Sequence, residues 1–179
     1  PEAHLRGELA KLSFDEEYTM SIRPVTKLGI GATYVDVALT GRHVKAAAEH
    51  FSVGHEHEHH HRTFATIRKM IEASQLSERV KETAIKIFEA LAIAEGKVHG
   101  KPREEVAFHE VGCADSLVDI VGAAICLEYL TIEKIFVSKV NTGSGFVHAT
   151  HGIMPVPAPA TSELLKKFPT YRHGAEKEL

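Results

Sequence analysis

The sequence has no tryptophan, and only two cysteines occur in its 179 residues, Cys113 and Cys126. Two thiols cannot build a disulfide framework, so a reduced, cytoplasmic setting is the simpler reading. No apolar run is long enough to span a bilayer and no leader pattern opens the chain, so no membrane partner is expected. Charge of one sign is also missing. The 21 Lys and Arg stand against 24 Asp and Glu, for a net charge of −3 with histidine neutral. That balance implies no general attraction to nucleic acid or to an anionic membrane. No internal repeat is visible.

What remains is an ordinary globular composition, 44 % hydrophobic and 25 % charged. A chain of this length can bury a substantial core, as one domain or one domain with an appendage. Histidine is the exception. Thirteen of them make the net charge sensitive to pH below about 7, where imidazoles begin to protonate.

The histidines concentrate in one tract, His55-Glu56-His57-Glu58-His59-His60-His61, with Arg62 next. Imidazole is a ligand for zinc, copper, iron and nickel, and carboxylates can complete the shell. As a strand, the tract puts His55, His57, His59 and His61 on one face. As a helix, His55/His59 and His57/His61 fall at i,i+4. Two readings compete: a transition-metal site, or a solvated loop that resembles a purification tag. The interior position and the two acidic interruptions favour the metal.

Periodicity supplies the frame. Leu5, Leu9 and Leu12 predict a helix over residues 2–12. Tyr18, Met20 and Ile22 alternate with polar residues, Gly29 to Gly31 turn the chain, and residues 33–39 are β-rich, which predicts a hairpin. Residues 41–62 carry no sustained apolar period, and so long a loop is functional or disordered. Phe64, Ile67 and Ile71 predict a helix from Arg62 on. Ser77 is the expected N-cap of a helix bearing Val80, Ala84, Ile87, Phe88, Leu91 and Ala94, which Gly100 stops after His99.

Residues 106–109 suggest a short strand. A helix should follow from Ala114 or Asp115 through Leu130, apolar nearly all round and therefore central and buried. Ile135-Phe136-Val137 marks another strand. Pro155, Pro157 and Pro159 favour an extended segment, with Pro159 in the first turn of a helix over 160–168. The alternation implies an α/β fold: layered helices around a small sheet, a β-hairpin near the N-terminus and a flexible His-rich loop. The expected division is 1–40 helix plus hairpin, 41–62 His-rich loop and 63–179 α/β body, together one domain. An opening on Pro1 without an initiator methionine, and a close just past a helix, suggest a piece of a longer protein.

Chemistry gathers at His109-Glu110-Val111-Gly112-Cys113-Ala114-Asp115-Ser116-Leu117-Val118-Asp119, a strand-to-helix junction with one histidine and three carboxylates. Capping explains Asp115, because a carboxylate at a helix start accepts from free N–H groups. It does not explain Asp119. An unpaired charge inside an apolar helix costs on the order of several kcal/mol and needs a metal, a cation or a polar cavity. His109, Glu110, Asp115 and Asp119 are thus the catalytic candidates. His109 and Asp119 are expected to line one polar pocket, with His148 or His151 contributing. The turn at Gly143, Ser144 and Gly145 could offer N–H groups to a phosphate or carboxylate. A plain turn is the competing reading, since the trailing lysine of a P-loop is missing. His148 and His151 could ligate together only across a bend, which Gly152 permits.

Four strings occur in order: His59-His60-His61-Arg62; Phe108-His109-Glu110-Val111-Gly112 with Asp115-Ser116 and Val118-Asp119-Ile120-Val121-Gly122; Thr142-Gly143-Ser144-Gly145-Phe146-Val147; and His151-Gly152 through Pro155-Val156-Pro157-Ala158-Pro159-Ala160-Thr161. Together they resemble the amino-terminal part of the LarC-type nickel-insertion proteins. The resemblance implies a lyase-class, CTP-dependent cyclometallase. Such an enzyme inserts nickel into a pyridinium bis-thiocarboxylate mononucleotide and yields the nickel-pincer cofactor of lactate racemase. Nickel is then the cargo. CTP with a divalent ion belongs to the full-length protein, whose nucleotide site lies in a carboxy-terminal part.

The implied partners are a nucleotide-like small molecule and that carboxy-terminal part, with a homo-oligomer compatible. This portion alone is expected to be inactive. The resemblance does not say which imidazoles bind, so the metal candidates stay with the residue reading: His55, His57, His59, His60, His61, His148 and His151. Two other classes fit the same tract: a non-catalytic metal-storage or metal-sensing protein, and a metallohydrolase that activates water on bound ions.

Overall fold

A computed structural model describes residues 1–13, 18–39, 62–108, 114–149, 152–174 and 176–177. Helices enclose the core, and their apolar spacing explains how. Helix α1 (Glu2–Leu9) runs on into a 3-10 turn, Ala10–Leu12, which buries Leu9 and Leu12. Helix α2 (Phe64–Ala73) starts on Thr63, whose Oγ1 accepts from the Thr66 amide at 3.2 Å. It buries Phe64, Ile67 and Ile71. Helix α3 (Glu78–His99) starts on Ser77, whose Oγ accepts from the Val80 amide at 3.2 Å. It ends where Gly100 takes a φ of 64°, a left-handed turn that glycine adopts without steric cost. Val80, Ala84, Phe88 and Ala92 form its fully buried stripe, while Ile87 and Leu91 sit half-buried beside it.

Helix α4 (Ala114–Tyr129) buries Leu117, Val118, Val121, Ala124 and Ile125 against the same core. A side chain of that size stabilises by about 1.5–3 kcal/mol when fully buried. Gly122 faces α1, where a Cβ would meet Leu5 at 3.7 Å, an ordinary packing distance. Helix α5 (Pro159–Leu165) carries Pro159 in its first turn and packs on α3.

The strands are peripheral. Strands β1 (Tyr18–Lys27) and β2 (Ile30–Leu39) pair antiparallel from Tyr18 against Leu39 to Lys27 against Ile30. Leu28 and Gly29 connect them at φ 52° and 81°, the positive-φ pair that a two-residue hairpin turn requires. Tyr18, Met20 and Val37 pack on the helical core but stay only partly buried. Strand β3 (Val140–Asn141) pairs parallel with β6 (Thr170–Tyr171), and β4 (Phe146–Ala149) pairs antiparallel with β5 (Gly152–Pro155).

Mixed helices and small sheets agree with the α/β class. The layering differs from expectation, because among the described residues the sheets are two-stranded and lie outside the helical core. Three local expectations change as well. Residues 106–108 form no sheet strand: Ala107 bridges Thr63, with Phe64 N donating to Val106 O and Phe108 N to Arg62 O. Among the described residues, 135–137 join no ladder. Helix α4 is not apolar all round, because Asp115, Asp119, Ala123 and Cys126 form an exposed stripe. Among the described residues no helix is long and apolar enough to cross a membrane.

Candidate metal and nucleotide site

The expected metal tract, His55, His57, His59, His60 and His61, lies outside the described residues, as do His109, Glu110 and His151. Among the described residues no three His, Cys, Asp or Glu side chains come together as a metal site. His148 stands exposed on β4, opposite Ile153 in the register.

The two aspartates of α4 are on its solvent face. Asp115 accepts from the Ser116 amide at 2.8 Å, a helix-start contact. Asp119 is exposed and makes no hydrogen bond or ion pair among the described residues. The physical reason for expecting a partner therefore falls away: a carboxylate in water needs none. The expectation misjudged the face. Ala123 and Cys126 look apolar in sequence, yet they are small residues on the outer stripe of an amphipathic helix.

The Gly-rich turn follows β3. Gly143 and Gly145 take φ values of 71° and 95°, so the turn needs glycine at both. Its amides are partly committed. Gly143 N donates to the Asn141 side-chain oxygen at 3.2 Å, and Thr142 N donates to Tyr171 O at 3.1 Å. The Asn141 Nδ2 in turn donates to His173 O at 3.0 Å. Gly143 is thus tied into the β3–β6 connection and has no free N–H for an anion.

Cations stand close by instead. A cavity of about 470 Å³ opens beside Thr142, walled also by Ser162, Lys166, Phe168, Tyr171 and Arg172. Lys166 and Lys97 both donate to Glu163, Lys97 at 3.3 Å. These two lysines hold the Glu163 carboxyl below its ordinary range, Lys166 first. Arg172 is exposed and makes no hydrogen bond or ion pair among the described residues. Asp115, Asp119 and His148 do not line this cavity. Sequence reasoning missed Lys166 and Arg172 because they lie more than 20 residues past the turn they flank. The only prior signal was the parallel pairing that a second short strand would give β3.

A second, apolar cavity of about 400 Å³ lies between α3 and α5, lined by Thr83, Lys86, Ile87, Ala90, Leu91 and Leu164. It contains no titratable group except Lys86 and offers no ligand chemistry.

The sequence model of the family described as "nickel insertion protein" matches residues 1–179. A pyridinium-3,5-bisthiocarboxylic acid mononucleotide nickel insertion protein of Akkermansia muciniphila is 48 % identical over 175 residues, covering 98 % of this chain and 41 % of its own length. The protein of the same name from Clostridium kluyveri is 49 % identical over 169 residues, 94 % of this chain and 41 % of its own. The chain therefore spans about two fifths of these relatives. No solved structure matches it.

Proposed function

The chain belongs to the nickel insertion protein family, and from that premise we propose that it is the metal-handling portion of a cyclometallase. The whole protein would place nickel into a pyridinium bis-thiocarboxylate mononucleotide at the expense of CTP. One observation carries the reading: two relatives of about 48 % identity, matched over nearly all of this chain, bear the name of that nickel insertion.

Within the proposal, His55, His57, His59, His60 and His61 recruit Ni²⁺, and His148 and His151 receive it near the site of transfer. Neutral imidazole suits the task. It binds a divalent first-row ion, yet yields it to the sulfur donors of the substrate, where a thiolate cage would not. His109, Glu110, Asp115 and Asp119 would position ion or substrate. The mononucleotide carries a phosphate, and the cavity beside Thr142 offers it the Arg172 guanidinium and the Lys166 ammonium. A guanidinium can hold a phosphate through two parallel hydrogen bonds. Gly143, Ser144 and Gly145, which directly follow the wall residue Thr142, would then hold that wall in place through their turn.

Titration with Ni²⁺ tests the reading. The chain should bind the ion with an affinity that drops as pH falls through about 6.5, because ligation needs neutral imidazole. Replacing His55, His57, His59, His60 and His61 together by Ala should abolish most of that affinity and leave the helical signal unchanged. Unchanged affinity would remove the tract from the mechanism. A storage or sensing protein would bind equally well but keep its nickel when the bis-thiocarboxylate substrate is added. CTP with magnesium should give no calorimetric signal with this portion, since a triphosphate needs clustered cations or free N–H donors and the cavity supplies two cations, one already paired.

A further inference from the structure

Residues 133–139, Glu133-Lys134-Ile135-Phe136-Val137-Ser138-Lys139, lead directly into β3 and are exposed throughout. The segment is anchored at both ends. Arg79 donates to Ile132 O at 2.8 Å, and Val140 N donates to Pro169 O at 2.9 Å. Between those anchors, no amide of residues 133–139 makes a backbone hydrogen bond among the described residues. The exposures are 67 % for Ile135, 90 % for Phe136 and 65 % for Val137.

Three consecutive β-forming apolar side chains would point to both faces of a strand, with Ile135 and Val137 on one and Phe136 on the other. Such a run is the pattern of a strand in a parallel sheet covered on both sides. The sheet is already begun, because β3 pairs parallel with β6 immediately after the run. An apolar edge of this kind, left bare, is a template for another strand.

We infer that residues 133–139 are an open sheet edge that receives an apolar strand from the part of the longer protein lying outside these 179 residues. A second copy of this chain fits less well. Edge-to-edge pairing of two copies would satisfy the amides but leave Phe136 on one face, and Ile135 and Val137 on the other, still in water. The occupant must bring a strand together with cover for two faces. The relatives have the material for it, since this chain spans only 41 % of their length. The proposal is independent of the metal chemistry.

Amide hydrogen exchange on the longer protein, beside the 179-residue chain, tests it. The amides of residues 134–139 should exchange at least about 100-fold more slowly in the longer protein, and near the rate of an open chain in the 179 residues. Phe136→Asp should lower the unfolding midpoint of the longer protein and leave that of the 179-residue chain unchanged. Should Phe136→Asp prevent the longer protein from folding, the milder Val137→Ser should reduce its protection at the same amides. Free exchange of these amides in the longer protein would overturn the proposal. So would protection in the 179-residue chain that grows with its concentration, because a second copy would then be the occupant.

Discussion

The Lys101 amide donates to the Gly96 carbonyl at 2.9 Å, and the same tight passage puts the Lys101 carbonyl 2.7 Å from where a Cβ on Gly96 would stand. Helix α3 can therefore carry only glycine at 96, one turn before its end. Gly96→Ala should destabilise despite the better helix propensity of alanine, worth about 1 kcal/mol. Forcing atoms into a packed backbone costs roughly 1–3 kcal/mol. Gly7→Ala in α1, which meets nothing within 4 Å, should be neutral or stabilising. Urea unfolding of the two variants checks the contrast, and equal effects would contradict it.

Ser77 joins two helices with one hydroxyl. Its oxygen accepts from the Val80 amide at the start of α3, and its proton goes to the Glu128 carboxylate at 2.6 Å near the end of α4. Ser77→Ala should cost about 1–2 kcal/mol, the cap and part of an exposed hydrogen bond together. Ser77→Asp keeps a capping oxygen but faces Glu128 with a like charge. It should recover stability in part at neutral pH and more fully when Glu128 is also changed to Gln. A Ser77→Asp variant as stable as the parent would show that the link to α4 contributes nothing.

Ser77 and Gly100 were legible because capping chemistry is local: a hydroxyl before an apolar stripe, and a glycine after it. The buried faces of α1, α2 and α3 were legible for the same reason, through spacing alone. Asp119 was misread because Ala123 and Cys126, small and apolar in letters, lie on the exposed stripe of α4. Residues 135–137 have the composition of a strand, yet nothing among the described residues pairs with them. The cavity beside Thr142 was invisible for a different reason. Its walls come from residues 142, 157, 162, 165, 166, 168 and 170–172, and the parallel pairing of β3 with β6 brings Thr142 to the last of them. The histidine tract, by contrast, is plain in sequence and lies outside the described residues.

Glu163 predicts a pH dependence for the contact between α3 and α5. Hydrogen bonds from Lys166, then Lys97, hold its carboxyl below the ordinary glutamate range in the folded protein. A depressed folded value means that the stabilisation is present above the unfolded value and is lost as pH falls through the folded one. Glu163→Gln should therefore be less stable than the parent at pH 7. The difference should shrink on acidification, and also in high salt, since the lysines are solvent-exposed. Thermal unfolding of both proteins across the carboxylate range measures it. A difference that stays constant with pH would assign the effect to packing.

Asp115 and Asp119 offer the sharpest separation of function from folding. Both are exposed one turn apart on α4, and Asp119 has no partner among the described residues. Asp119→Asn should thus change stability by no more than about 0.5 kcal/mol, as surface substitutions do. Asp115→Asn keeps an oxygen for the Ser116 amide and should be nearly as mild. If the carboxylates take part in nickel handling, the double variant should bind or transfer Ni²⁺ more weakly while its unfolding curve overlays the parent. Removing two negative charges from the approach to a cation would also slow nickel association at low salt. High salt separates the two effects, since it screens steering but leaves direct ligation in place. Nickel titration and stopped-flow association at two ionic strengths would decide. Parent-like affinity and rate in both conditions would leave these aspartates as solvent-facing residues of a structural helix and confine the metal chemistry to the histidines.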